Sequence, residues 1–204
     1  MVGSFAAPIA FDGTVLKSKG MKDVFVVAFD AKGNSIGSFS FGGTGGESVK
    51  VVGRPGVAPL VVAGTTSDAM TIGTVSFDAG AYLLRFTDAL KPVSALAIPG
   101  CTFLASAALD EVTENAYLVL NCQKQTDLGG GPLAAGRVLL AVDKNNQHLF
   151  SRSLPSSAQV EHLLALDGAL YLAGTFKDSV DFGNGALTTK YSSEIKLFVV
   201  RMTK

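Results

Sequence analysis

The sequence predicts an all-β fold built from repeated four-stranded antiparallel units, and three observations carry that reading. A strand-like hexapeptide returns four times: Phe25-Val26-Val27-Ala28-Phe29-Asp30, Tyr82-Leu83-Leu84-Arg85-Phe86-Thr87, Val138-Leu139-Leu140-Ala141-Val142-Asp143 and Phe198-Val199-Val200-Arg201-Met202-Thr203. Its first residues fall at 25, 82, 138 and 198, and near-constant spacing marks a repeat architecture. The chain is also rich in glycine (23 of 204 residues) and poor in charge (17%), with many Val, Leu, Thr and Ser, which favours strands and tight turns over helices.

Each hexapeptide leads through a polar turn into a second strand. Lys32-Gly33-Asn34 precedes Ser35 to Phe41, and Lys144-Asn145-Asn146 precedes Gln147 to Leu154. Asn and Gly tolerate the positive φ of tight hairpins, so each pair reads as a hairpin. Two further strands follow in each unit: Ser48 to Gly53, Phe103 to Asp110 and Val160 to Asp167, then Val57 to Thr66, Ala116 to Gln123 and Ala169 to Phe176. Asp167-Gly168 is a hairpin turn. The glycine-rich stretches at Phe11-Asp12-Gly13, Leu128 to Gly131 and Asp181 to Gly185 read as connecting turns.

Four-stranded units at this period suggest β-propeller blades. The hexapeptides are apolar at nearly every position, whereas a strand with one wet face alternates. Blades stacked face to face leave inner strands dry on both sides, and so do stacked sheets of a solenoid. A β-sandwich fits less well.

The order Leu170-Tyr171-Leu172-Ala173-Gly174-Thr175-Phe176, Val180-Asp181-Phe182-Gly183-Asn184-Gly185, then Phe198-Val199-Val200-Arg201, resembles the bacterial β-propeller repeats (SBBP-like). The first unit is similar, through Gly3-Ser4-Phe5, Phe11-Asp12-Gly13 and Asp23 to Asn34. The resemblance covers the whole chain, with degenerate second and third copies, and implies a propeller of the kind found in exported or envelope proteins of myxobacteria. It implies no particular catalysis. Such repeats place Trp after the Gly-Asn turn, but this chain has none and carries Gly37 and Phe150 there.

Counted along the chain, the strands run as one near residues 2 to 6, three sets of four, and a last one at 196 to 204. That is fourteen, about 3.5 blades, two short of sixteen. The expectation is a fragment of a longer propeller, or an oligomer in which chains complete each other's unpaired edges.

Cys101 and Cys122 sit at the outer ends of two strands expected to pair through a hairpin near Val112 and Thr113. They are either a structural disulfide of an exported protein or two free buried thiols. His148 and His162 show no metal-site spacing, which takes most candidates from zinc and triad chemistry. Asp12, Asp127 and Asp181 recur in the connections. Aspartate beside glycine can coordinate calcium when several oxygens converge, but turn stabilisation is the stronger reading, and no cofactor is expected. Asp30, Asp88 and Asp143 are expected to cap the hairpin turns. Gly42-Gly43-Thr44-Gly45-Gly46 lacks the Lys-Ser/Thr of a phosphate loop and reads as a flexible connection. Arg85 and Arg201 occupy equivalent places, where they line a channel or pair at an edge.

Seventeen basic residues balance seventeen acidic ones, so no long-range field steers the chain to nucleic acid. No apolar run is long enough for a membrane-spanning helix, and the N-terminus lacks the basic and apolar regions of a signal peptide. An exported parent would therefore carry its signal outside this chain.

The expected function is a non-catalytic exported or envelope module presenting loops to a protein or glycan partner. Its candidate binding positions are Gly42, Gly43, Thr44, Gly45, Gly46, Ser67, Asp68, Lys124, Gln125 and Asp127, within the stretches 42 to 47, 66 to 74 and 123 to 132. A lectin-like propeller and a propeller lyase or hydrolase are the rivals. Tyr191 and Phe11 do not repeat cleanly as a lectin's aromatics should.

Overall fold

The computed structural model describes residues 1–51, 53, 60–73, 75–191 and 193–203. The expected strand positions 52 and 57–59, and the loop position 74, lie outside the described residues. The described residues are all-β, 63% in strands and without helix. Among the described residues no helix is long and apolar enough to cross a membrane.

Four sheets recur with one connectivity. Sheet I takes β1 (Val2–Phe5), a hairpin of β2 (Ile9–Phe11) and β3 (Thr14–Leu16), then β4 (Asp23–Phe29) and β5 (Ser35–Phe41), bonded in the order β1-β4-β5. Sheet II takes β6 (Glu47–Val51), β7 (Leu60–Thr66), a hairpin of β8 (Met70–Ile72) and β9 (Val75–Phe77), β10 (Gly80–Phe86) and β11 (Pro92–Pro99), in the order β11-β10-β7-β6. Sheet III repeats this with β12 (Cys101–Leu109), β13 (Ala116–Cys122), β14 (Thr126–Asp127), β15 (Pro132–Leu133), β16 (Gly136–Val142) and β17 (His148–Ser153), in the order β12-β13-β16-β17. Sheet IV has β18 (Ala158–Leu166), β19 (Ala169–Lys177), β20 (Ser179–Val180), β21 (Leu187–Thr188) and β22 (Ile195–Thr203), in the order β18-β19-β22.

The strands of the larger sheets therefore group as three, four, four and three, and not as one, three sets of four, and one. The hexapeptide strand pairs back across the small hairpin, as β4 does with β1. The chain then leaves each sheet after the strand that follows. The glycine-rich connections read as turns are these two-stranded hairpins, β2–β3, β14–β15 and β20–β21, and β8–β9 is a fourth that the sequence hid.

Turn chemistry recurs as well. Asp30 Oδ1 accepts from the Lys32 and Asn34 amides (2.8 and 2.9 Å), and Asp143 Oδ1 from those of Asn145 and Gln147 (2.8 and 2.7 Å). At the turn between these two in the chain, Thr87, not Asp88, holds this place, its hydroxyl accepting from the Lys91 amide at 3.2 Å. A β-bulge follows Ala28, Arg85 and Ala141, the same hexapeptide position each time. Asp167 and Gly168 both adopt positive φ, as a two-residue hairpin turn requires.

Contacts divide the chain into two compact units, Met1–Phe103 and Leu104–Lys204, the division falling inside β12. In the first, one face of sheet I (Val24, Val26, Phe39, Phe41) packs on Val62, Tyr82, Leu84 and Phe86 of sheet II and on its hairpin residues Met70, Ile72 and Phe77. In the second, Tyr117, Val119, Leu139 and Ala141 of sheet III pack on Leu170, Leu172, Phe176 and Phe198 of sheet IV. The two cores use corresponding faces: Val26 and Leu139 hold the same hexapeptide position, and so do Tyr82 and Phe198. Both cysteines are buried and disulfide-bonded to each other, closing β12 onto its neighbour β13.

Candidate functional site

Three segments of the first unit converge where the chain passes from sheet I to sheet II: residues 18 to 23, 42 to 47 and 66 to 70. Asp23 opens β4 and is buried; it accepts from the Ser18 hydroxyl (2.9 Å) and the Lys19 amide (3.2 Å). Glu47 opens β6, is 2% exposed, and meets the buried Thr66 hydroxyl at 3.0 Å. Thr66 Oγ1 also lies 2.6 Å from the Asp68 carbonyl and accepts from the Asp68 amide.

The loop between them is close-packed, not a flexible connection. A Cβ on Gly42 would stand 2.4 Å from Asp23 Cγ and 2.5 Å from Glu47 Oε2, and one on Gly45 would stand 2.5 Å from Ser67 Oγ. Only glycine fits such approaches. Gly43 packs in the same way on the Ala69 carbonyl. The Gly46 amide donates to Ser67 Oγ (2.8 Å), the Ser67 amide returns a bond to the Gly46 carbonyl (3.2 Å), and the Met21 amide donates to the Gly45 carbonyl (2.9 Å). Above this seam the exposed Thr44 hydroxyl donates to Asp68 Oδ2, and the Ala69 amide to Asp68 Oδ1 at 2.7 Å.

The two acidic side chains are driven in opposite directions. Burial pushes the Glu47 carboxyl above its ordinary value, with Asp23 and Asp68 adding repulsion and the Thr66 and Gly43 hydrogen bonds opposing. The Thr44 hydroxyl, then the Ala69 amide, holds Asp68 below the usual carboxylate range. The buried carboxyl lies against the Gly42 backbone, and the exposed one has its donors already in place. That arrangement can present hydrogen-bonding groups to a partner.

The structure therefore joins Gly42, Gly43, Thr44, Gly45, Gly46, Ser67 and Asp68 in one patch. Lys124, Gln125 and Asp127 belong to the second unit instead. There the exposed Lys124 and Gln125 precede β14, and Asp127 Oδ1 accepts from the Gly129 and Gly131 amides (2.8 and 3.1 Å). Asp181 caps the Gly183 amide likewise, and Asp12 accepts from the Ser35 amide. Among the described residues no three His, Cys, Asp or Glu side chains are grouped to hold a metal ion. His148 bonds Ser151 Oγ at 3.1 Å, and His162 is exposed at a bulge of β18. Arg85 is buried and Arg201 exposed, although their strand positions are equivalent.

Sequence reasoning missed Ser18 and Asp23, and it placed Glu47 and Thr66 only at the ends of candidate stretches, without their buried pairing. The available signal was a charged residue at the mouth of an apolar strand, at Asp23 and Glu47, on either side of a glycine run. In sheet IV the corner corresponding to Glu47 and Thr66 is Ala158 paired with Phe176. Beside it lies a cleft of about 370 Å³, lined by Ser156, Ser157, Gln159, Thr175 and Lys177 among others. No model of a known protein family matches the chain, and no curated protein matches it.

Proposed function

We propose that the chain is a β-propeller or a stretch of one, its four sheets serving as blades, and that it works as a non-catalytic exported binding and scaffold module. Its loops take a protein or glycan partner. The recurring strand, strand, hairpin, strand, strand order supports the propeller reading, and so do the two sheet stacks that use corresponding faces. The Cys101–Cys122 disulfide favours an oxidising compartment.

The observation that carries the binding role is the stitched patch of residues 42 to 46 with Ser67 and Asp68. A partner meeting it orders little on binding, because the protein already holds these groups in place. The lectin reading calls for equivalent sites on successive sheets, and Glu47 with Thr66 has Ala158 with Phe176 as its counterpart. The enzyme reading calls for an accessible acid or base, and Glu47 is sealed.

The test is a screen of the intact chain on a glycan array, run in parallel with crosslinking capture from an extracellular fraction. A defined ligand, bound without being turned over, is expected. Hydrolysis or elimination of an array glycan would replace this reading with the enzymatic one.

A further inference from the structure

Sheet IV presents a bare apolar face. Leu197 and Val199 are 81% and 73% exposed, and Leu164, Leu166 and Ile195 are about half exposed or more. Register places Val199 opposite Ala173, and Leu164 opposite Tyr171, which faces Arg201, so these residues share one side of the sheet. Val199 holds the hexapeptide position of Leu139, which is fully buried against sheet IV, and of Val26, which is buried against sheet II. In each observed stack this face is covered by the opposite face of the following sheet. On sheet IV it is open, and β22 is also an edge strand.

Sheet I carries the complementary surface. In sheets II and IV the face that covers a neighbour bears an aromatic pair, one ring from the small hairpin and one from the hexapeptide: Phe77 with Tyr82 (6.3 Å) and Phe182 with Phe198 (4.9 Å). Phe77, Tyr82 and Phe198 are buried in the two cores, with Phe182 packed against its own. Sheet I has the same pair, Phe11 with Phe25 at 5.5 Å, extended by Phe29 at 6.2 Å from Phe11. Here Phe11 and Phe25 are only half-buried and Phe29 is 41% exposed.

We infer that a second copy of this chain covers the sheet IV face, docking the Phe11, Phe25 and Phe29 face of its sheet I onto Leu197 and Val199. The contact continues the packing already seen twice within the chain. It is head to tail, so each copy offers one socket and one plug, and assembly proceeds to a closed ring or an open array. The inference rests on sheet stacking and is independent of what the loops bind.

Sedimentation velocity and light scattering on the full chain test it. The wild type is expected at two or more times the 21.0 kDa chain mass. Val199→Glu destroys the socket and Phe29→Glu the plug, so each variant alone is expected to be monomeric, with circular dichroism unchanged. Mixed, they are expected to form a dimer and nothing larger, because one intact socket meets one intact plug. If Val199→Glu does not fold, Leu197→Glu, at the more exposed position, takes its place. A wild type that stays monomeric at every concentration overturns the inference. So does a folded single variant that keeps the wild-type mass, or a mixture that yields no dimer.

Discussion

Glu47 Oε1 lies 3.0 Å from the Thr66 hydroxyl, with both side chains buried where sheet I hands the chain to sheet II. A hydroxyl carries one proton, and the Asp68 carbonyl is nearer to Thr66 Oγ1, at 2.6 Å. Thr66 donates to one of these oxygens at a time, and its bond to Glu47 opposes the rise that burial imposes on the carboxyl.

Burial of the Glu47 carboxyl fixes a pH dependence. Glu47 binds its proton more tightly folded than unfolded, so its contribution to stability is complete below its ordinary value of 4.5 and falls as pH rises through the folded value. Glu47→Gln keeps a neutral partner for Thr66 and removes the titration. Urea melts of variant and wild type across this range are expected to differ progressively as pH rises, the variant being relatively more stable at neutral pH. A constant difference contradicts the assignment.

Thr66→Val keeps the shape and deletes the hydroxyl shared by Glu47 and Asp68. Stranding buried polar groups costs about 1–3 kcal/mol, so the urea midpoint is expected to fall accordingly. A neutral result places water or a new partner at the site.

Gly42→Ala and Gly37→Ala make a matched pair. The first puts a methyl group 2.4 Å from Asp23 Cγ, and overpacking of this kind costs roughly 1–3 kcal/mol. The second meets nothing closer than Leu90 Cδ1 at 3.8 Å, in the strand β5. There the alanine is expected to add about 0.5–1 kcal/mol by restricting the unfolded chain. Thermal melts that moved in the same direction for both variants would contradict the packing described for residues 42 to 46.

The disulfide gives a redox prediction. Alkylation without reductant is expected to label neither Cys101 nor Cys122, and Cys101→Ser with Cys122→Ser to lose roughly 2–4 kcal/mol through the freed unfolded chain. Two thiols labelled in the untreated protein would overturn it.

The hexapeptides were legible because in β10 and β16, each at the middle of its sheet, burial on both faces removes the polar alternation, while β4 and the edge strand β22 carry the same apolar residues with one face partly or largely exposed. The proximity of Cys101 and Cys122 followed from a local hairpin, which left open whether they are bonded. Sheet membership was harder to read: β4 pairs with β1 across the seventeen residues from Ala6 to Lys22, a length over which the cost of loop closure grows only slowly, and a sequence scan favours strands adjacent in the chain. Thr87 stands at the hexapeptide position of Asp30 and Asp143 and closes the same backbone turn, so the cap falls one residue before Asp88. Asp23 and Glu47 were hidden because their burial depends on loops that meet only after the sheets stack.

The binding patch is the central claim, and calorimetry with the ligand recovered by the screen tests it most directly. Thr44→Ala with Asp68→Ala removes two exposed side chains and leaves Glu47, Thr66 and the glycines in place. The account predicts binding at least about tenfold weaker than wild type, with an unchanged melt, as loss of a contact worth 1.4 kcal/mol or more would give. A ligand that binds wild type and variant equally would contradict it.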